Sequence, residues 1–399
     1  MRRYDAIVLG LGGMGSAVAA HAASRGMHVL GLEQFGPAHA RGSSHGETRI
    51  IRQAYFESPA YVPLLRRAYA LWDALEARTG LALRAQTGGL FVGRPETAVV
   101  AGTLASAERW QLAHAVYDAG QLRRRYPMLA PRADEIAVYE AVAGALFPEA
   151  AVRAHLDVAA DAGAELRFGV RVASWSARDG AVRVTFDDGE AIEASRLAIC
   201  AGAWFASVAP DAGIALRVER NVQFWFAPVD RDAVSPERLP VWALERDGAR
   251  MAYGFPEFGG GVKVARHGSG VDADPDALDR TVRDDEIAHA QATLASFVPS
   301  AAGAFLRAAP CMYALTPDEH FAIGTHPAHP NVVIAGGFSG HGFKFAPVVG
   351  EIVAALLADD DPGADITLFA PARFAGHTSP PPPIHVSPLT APSTPRRSP

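Results

Sequence analysis

Tyr4-Asp5-Ala6-Ile7-Val8-Leu9-Gly10-Leu11-Gly12-Gly13-Met14-Gly15 decides the fold of this 399-residue chain. Residues 4–9 are almost wholly apolar and read as a strand buried on both faces. Gly10, Gly12 and Gly15 fit G-x-G-x-x-G. The first glycine permits a tight turn, the second lets the backbone approach a pyrophosphate, and the third allows close helix–strand packing. An alanine-rich helix is expected from about Met14 to Arg25, ended by Gly26. Its N-terminus would face an anion with free N–H groups. A second strand, His28–Leu32, ends at Glu33. That carboxylate stands at the spacing of about 20 residues at which an acid accepts from a ribose hydroxyl, and it would repel a 2′-phosphate. Strand, turn, helix, strand and acid make a dinucleotide-binding unit; the turn alone does not separate FAD from NAD.

Outward from this unit, helices are expected at about Ala60–Arg78, 150–163, 284–298 and Phe345–Leu357. Strands are expected at Val170–Ala177, Ala181–Phe186, Arg196–Cys200, Val218–Phe226, Met251–Tyr253, Val262–Ala265 and Val332–Ala335. The fold should end near Phe374, because residues 380–399 hold eight prolines and little to bury, and read as disordered.

Composition narrows the function classes. Hydrophobic residues are 49% and charged residues 20%, an ordinary globular balance. The net charge of −6 speaks against a nucleic-acid partner. No apolar run reaches the ~20 residues of a membrane span, and no targeting signal is evident, so a cytoplasmic protein is expected. Two cysteines make neither a disulfide framework nor a multi-cysteine zinc site, and no metal is expected. Of 37 basic residues only Lys263 and Lys344 are lysine. A general drift toward arginine codons accounts for the rarity. A lysine that survives it can mark a place where a compact ammonium with a shiftable pKa is not replaceable by guanidinium.

Three further segments carry chemistry. In Ser44-His45-Gly46-Glu47-Thr48-Arg49-Ile50-Ile51-Arg52, the residues His45, Arg49 and Arg52 are spaced i, i+4, i+7, which on a helix would put three cations on one face. An anionic ligand would relieve their repulsion; Glu47 and Glu57 are the alternative counter-ions. In Gly336-Gly337-Phe338-Ser339-Gly340-His341-Gly342-Phe343-Lys344-Phe345, a glycine-rich turn opens a helix whose N-terminus favours negative charge, with Lys344 between two aromatic rings. Cys311, in Pro310-Cys311-Met312-Tyr313, is open to two readings: a small buried hydrophobe or a nucleophilic thiolate. Cys200 ends an apolar strand and reads as core.

Taken together and in order, these segments resemble the monomeric sarcosine oxidase and N-methyltryptophan oxidase family of FAD-dependent amine oxidases. Tyr253-Gly254-Phe255-Pro256 and Thr316-Pro317-Asp318-Glu319-His320-Phe321 add to the match, which runs from about residue 4 to 374. The resemblance implies an α/β fold: a discontinuous Rossmann-type FAD-binding domain (1–85, 146–215 and 305–375), a mixed-sheet substrate domain (86–145 and 216–304) and a Pro-rich tail (376–399). It implies FAD bound through Gly10, Gly12, Gly15, Glu33, Ser43, Thr48, Val172, Gly340, Gly342 and Lys344, and attached covalently at Cys311. It places the substrate carboxylate on Arg52 and Lys344, and gives Lys263 to the reaction with O2. It lists His45, Arg49, Tyr253 and His267 as active-site residues. A small secondary amino acid, N-methyl or cyclic, would be oxidised, with hydrogen peroxide formed and formaldehyde released from an N-methyl group, by a monomeric enzyme. Ser44 and Glu47 depart from the family pattern, which has a second histidine and an aspartate there; this leaves substrate preference open. Two rival readings remain: a flavin dehydrogenase with another electron acceptor, and a non-catalytic dinucleotide-binding protein acting through its tail.

Overall fold

The computed structural model describes residues 4–374 except 179, 247, 249 and 250; the expected Pro-rich tail lies outside the described residues. The strand Tyr4–Leu9 forms as expected, and apart from the exposed Asp5 both of its alternating faces are buried. Ala6 and Val8 face one hydrophobic cluster and Ile7 and Leu9 another, so both faces of the strand are covered. A fully buried Val, Leu or Ile is stabilising by roughly 1.5–3 kcal/mol, so a strand of this kind anchors a sheet.

Tyr4–Leu9 pairs in parallel with Val29–Glu33 on one side and with Ala191–Ile199 on the other. Glu165–Phe168 extends the sheet beyond Val29–Glu33, and His329–Gly336 pairs in parallel with the end of Ala191–Ile199. The first half of that long strand instead takes the antiparallel Ala181–Phe186. Val172–Arg178 and Ala322–His326 complete eight strands. The helices Gly13–Ser24, Pro148–Asp161 and Ala346–Leu357 cover one face of this sheet, close to the sequence expectations.

The second sheet has nine strands in the order Val271–Asp272, Arg217–Phe226, Val262–Arg266, Ala252–Gly254, Val241–Leu244, Gly89–Gly93, Ile136–Glu140 and Ala115–Asp118, with Phe305–Leu315 also on Arg217–Phe226. It is mixed, because Val241–Leu244 runs parallel to Gly89–Gly93 while its other pairings are antiparallel. The helix Asp284–Phe297 packs through Leu294 and Phe297 on the face that also carries Trp242 and Phe226. Phe305–Leu315 therefore sits with the segment 216–304, not with the dinucleotide sheet in which a domain beginning at 305 would place it.

The helical spacing of His45, Arg49 and Arg52 is not realised on a helix. Residues 42–48 are irregular, and Arg49–Ile51 is a strand paired with Gly144–Leu146 in a small three-stranded sheet. Among the described residues no helix is long and apolar enough to cross a membrane.

Candidate active site

The two sheets and the segment 42–57 enclose a cavity of about 1030 Å³. Gly10, Gly12, Glu33, Ser43 and Val172 line one end, and Arg49, Cys311, Gly340 and Gly342 the middle. Arg52, Tyr253, His267 and Lys344 line the other end. Residues scattered over more than 300 positions thus share one wall. Gly15, His45, Thr48 and Lys263 are not on it.

At the first end, Gly15 is required by contact: a Cβ there would lie 1.7 Å from the Gly10 carbonyl oxygen. Glu33 is buried, and its carboxylate accepts from the N–H of Leu11 (2.9 Å) and of Phe35 (3.0 Å), with His39 Nε2 at 3.3 Å. Burial would raise this carboxyl's pKa, but the His39 contact and the two N–H donors outweigh it and hold it below its usual range.

The floor of the cavity is the nine-stranded sheet. One cross-strand row runs Phe91, Ala243, Tyr253, Ala265, Gln223, Ala309, each paired with the next. Asn221 stands opposite Cys311 two residues along. Side chains at i and i+2 share a face, which brings Asn221 with Gln223 and Tyr253 with Met251 on to the wall. Phe91, Ala243, Met251, Asn221 and Gln223 are wall residues the sequence did not single out. The amides at 221 and 223, alternating with apolar Val222 and Phe224, were the available signal.

Cys311 is almost fully buried. Its Sγ lies 3.9 Å from Arg49 Nη2 and 3.8 Å from the Ser43 carbonyl oxygen. Burial pushes the thiol's pKa up, against the opposing pull of Arg49. Arg49 also donates to Gln223 Oε1 (3.1 Å) and to the Ser43 carbonyl (2.8 Å). His45 is not a cation: burial, then Arg49, lowers its pKa to about 3.

At the other end, Trp72 Nε1 donates to the Lys344 carbonyl (2.9 Å), and Lys344 Nζ donates to the His341 carbonyl (2.7 Å). This lysine is buried, not snorkelling. Burial, reinforced by Arg52, lowers its pKa to about 7. Gly340 is needed beneath it, because φ is +80° and a Cβ would meet the Tyr313 ring at 2.3 Å. Arg52 packs its guanidinium 4.1 Å from the Tyr55 ring centroid and 4.2 Å from that of Phe56, and it ion-pairs with Glu57. Burial lowers the pKa of His267 to about 4 and raises that of Tyr253. The end of the cavity therefore offers a guanidinium, an ammonium near its titration point, a neutral imidazole and an intact phenol.

Asp211, His326 and His329 are the described residues that come closest to a metal-ligand set. His326 Nδ1 accepts the Ala328 N–H (3.1 Å), which leaves the ring proton on Nε2, facing Asp211 at 3.4 Å. A nitrogen that carries its proton is no ligand, so the triad is a clip between the turn at Pro210–Ala212 and the hairpin that turns between His326 and His329.

Residues 5–356 match the family model described as FAD dependent oxidoreductase. A monomeric sarcosine oxidase of Streptomyces avermitilis is 48% identical over 379 residues, covering 93% of this chain and 98% of the relative. An N-methyl-L-tryptophan oxidase of Salmonella newport is 34% identical over 375 residues, covering 94% of this chain and 100% of the relative. The chain belongs to the FAD-dependent oxidoreductases of the sarcosine and N-methyltryptophan oxidase family. The fold agrees: an L-proline dehydrogenase from P. horikoshii superposes with a TM-score of 0.81 at 24% identity, covering 94% of this chain and 98% of the other. The amino acid oxidase NikD superposes with a TM-score of 0.82, also at 24% identity, covering 93% of this chain and 98% of the other.

The residues present suit the cofactor of this family. The buried atoms His45 Nε2, Thr48 Oγ1 and Asn221 Oδ1 have no hydrogen-bond partner within the protein. Buried polar atoms are rarely left so; Asn221, opposite Cys311, lines the cavity, where a polar ring system would satisfy its amide oxygen. At the opposite end, the Gly12 backbone is open apart from Ser44 Oγ, which would lie 3.7 Å from an added Cβ, so a pyrophosphate has access to the helix N-terminus.

Proposed function

We propose that this enzyme is an oxidase of small secondary amino acids, N-methylated or cyclic, that uses O2 as the electron acceptor. The observation that carries it is that Arg52 and Lys344 line the same cavity as Cys311. Two cations there suit a substrate with one carboxylate, and the sarcosine and N-methyltryptophan oxidases match this chain over nearly their whole length. FAD, when bound, supplies the two-electron acceptor for C–N oxidation.

The chain's own residues then hold and orient. Arg52 and Lys344 take the carboxylate by charge-assisted hydrogen bonds. Because Glu57 already occupies Arg52, the incoming carboxylate shares or displaces it. Tyr253 and His267, uncharged through burial, place polar contacts beside the substrate without competing for its negative charge. Glycine-rich turns at 10–15 and 340–342 hold the cofactor's phosphates and ring edge, and Cys311 Sγ is the attachment atom. Lys263 provides a positive charge where O2 acquires electrons. FAD would be held by 1–85, 146–215 and 316–375, with the second sheet as the floor beneath a substrate whose carboxylate sits on Arg52 and Lys344. The name monomeric, borne by the relatives, supports a one-chain enzyme.

For sarcosine the sum is CH3NH2⁺CH2COO⁻ + O2 + H2O giving glycine (as the zwitterion), formaldehyde and H2O2. The test is to measure oxygen uptake, peroxide and formaldehyde together in air. One of each per sarcosine consumed supports the reading. Formaldehyde without peroxide, sustained by an artificial electron acceptor, would make the enzyme a dehydrogenase instead.

A further inference from the structure

Lys263 is held in an unusual way. Its side chain is buried and flanked by Phe255, with Nζ 4.5 Å from the ring centroid, and by Trp225 at 5.6 Å. Among the described residues no carboxylate pairs with it directly. Two of its three N–H donors go to main-chain oxygens, of Gly46 (2.7 Å) and Thr48 (2.6 Å). Those two carbonyls converge because the chain makes a three-residue turn, in which the Thr48 N–H donates to the Gly46 carbonyl at 2.7 Å. Its central residue, Glu47, has φ +67°, and Gly46 has φ +96°. A γ-turn with positive φ at its centre is the rare, strained form. Strain of this kind persists only where the surroundings over-determine it.

Glu149 does so. It lies in the first turn of the helix Pro148–Asp161. Its Oε1 accepts the N–H of Gly46 (2.6 Å) and of Glu47 (3.1 Å), and its Oε2 is 3.2 Å from the latter. The other anchor, the Glu47 side chain, reaches Arg307 (2.6 Å) and Trp225 Nε1 (3.0 Å), but both ends of that ion pair are largely exposed. Glu149 is the partner that grips the turn's own backbone.

We propose that Glu149 is a positioning residue for Lys263: by taking two successive N–H groups it keeps the Gly46–Thr48 turn in the shape that aims two carbonyls at the ammonium and leaves the third N–H free for the oxygen reaction. This rests on the proposed role of Lys263. Glu149 also lies near enough to oppose the effect of burial and Arg49 on the ammonium, as do Cys311 and Glu47.

The test compares Glu149→Met, which removes the acceptor, with Glu149→Gln, which keeps one carbonyl oxygen in place. In stopped flow, Glu149→Met should slow reoxidation of the reduced enzyme tenfold or more and leave anaerobic reduction by sarcosine within twofold. Glu149→Gln should recover most of the reoxidation rate. A direct readout is available because the chain has only two lysines. Lysine labelled with ¹³C at Cε gives two signals, and Lys263→Arg identifies one of them. The Lys263 signal should move in Glu149→Met and return in Glu149→Gln, with that of Lys344 unmoved. Equal slowing of both half-reactions, or an unmoved Lys263 signal, would overturn the proposal. If Glu149→Met does not fold, Glu149→Asp, which draws the carboxylate back by one methylene, is measured the same way. If the wild-type enzyme is neither reduced by amino acids nor reoxidised by air, the proposed function fails, while the lysine signals still decide whether Glu149 sets Lys263.

Discussion

Arg52 presents one guanidinium nitrogen to both carboxylate oxygens of Glu57, at 2.8 and 2.6 Å. Burial would push the Glu57 carboxyl up, yet Arg52, then His341 and Lys344, hold it down at about 2. A substrate carboxylate therefore meets a guanidinium that already has an anion. Replacing Glu57 with Gln should tighten a simple competing carboxylate such as propionate by about tenfold at pH 6, the order of one charge-assisted hydrogen bond. Calorimetry or the perturbation of the flavin spectrum measures it. Weaker binding in the variant would show that Glu57 is needed to orient Arg52.

Lys344 predicts a pH limit. Its pKa is lowered to about 7, so the free enzyme loses this charge as pH rises through neutrality. Propionate has no amine to titrate. Its affinity should be level near pH 6, where propionate is ionised and Lys344 charged, and fall toward tenfold per unit above about 7, to the limit set by Arg52 alone. Lys344→Met should abolish this dependence and weaken binding at pH 6 by roughly 10–100-fold. A flat wild-type profile from pH 6 to 9 would contradict the account of Lys344.

Attachment through Cys311 has a simple check. The wild-type protein precipitated with acid should keep its yellow colour in the pellet. Cys311→Ser should release all the flavin to the supernatant, with the fold intact by circular dichroism. Colour retained by the Ser variant would place the linkage elsewhere.

Gly15→Ala should be severe. The added Cβ falls 1.7 Å from a main-chain oxygen, and backbone cannot swing aside as a long side chain can. The expected result is loss of bound flavin, with a fall in Tm of 5 °C or more in any soluble fraction. Gly26→Ala serves as control, since a Cβ there meets nothing within 4 Å; it should cost only the strain of its φ of +87°.

How much was legible depended on how local each signal was. The unit from Tyr4 to Glu33 contains its own strands, turn and helix, and its ends were placed to within about two residues. In the segment 42–52 an i, i+4, i+7 spacing would align His45, Arg49 and Arg52 only on a helix, and no helix forms there. Its strand partner, Gly144–Leu146, lies far along the chain, and Gly46 and Glu47 have positive φ that no helix allows. The strand Phe305–Leu315 is hard to read in the sequence, because a proline such as Pro310 is a poor interior-strand residue. It is tolerated because this strand pairs only with Arg217–Phe226 and the other edge carries no strand. The row from Phe91 to Ala309 is a product of register between strands distant in sequence, and register is not written in any one of them. Cys311 and Lys344 were picked out through motifs, but that Arg52 is already paired, and that Lys263 rests on two carbonyls, are facts of tertiary geometry.

The most direct measurement is anaerobic. The flavin enzyme is mixed under argon with sarcosine, larger N-methyl amino acids, proline and pipecolate in turn, and the visible flavin band is followed. Bleaching by at least one of these, with the band restored when air is admitted and peroxide formed, is the predicted result. An unbleached band with every member of the panel, in protein that carries its flavin, would contradict the assignment as a secondary amino acid oxidase.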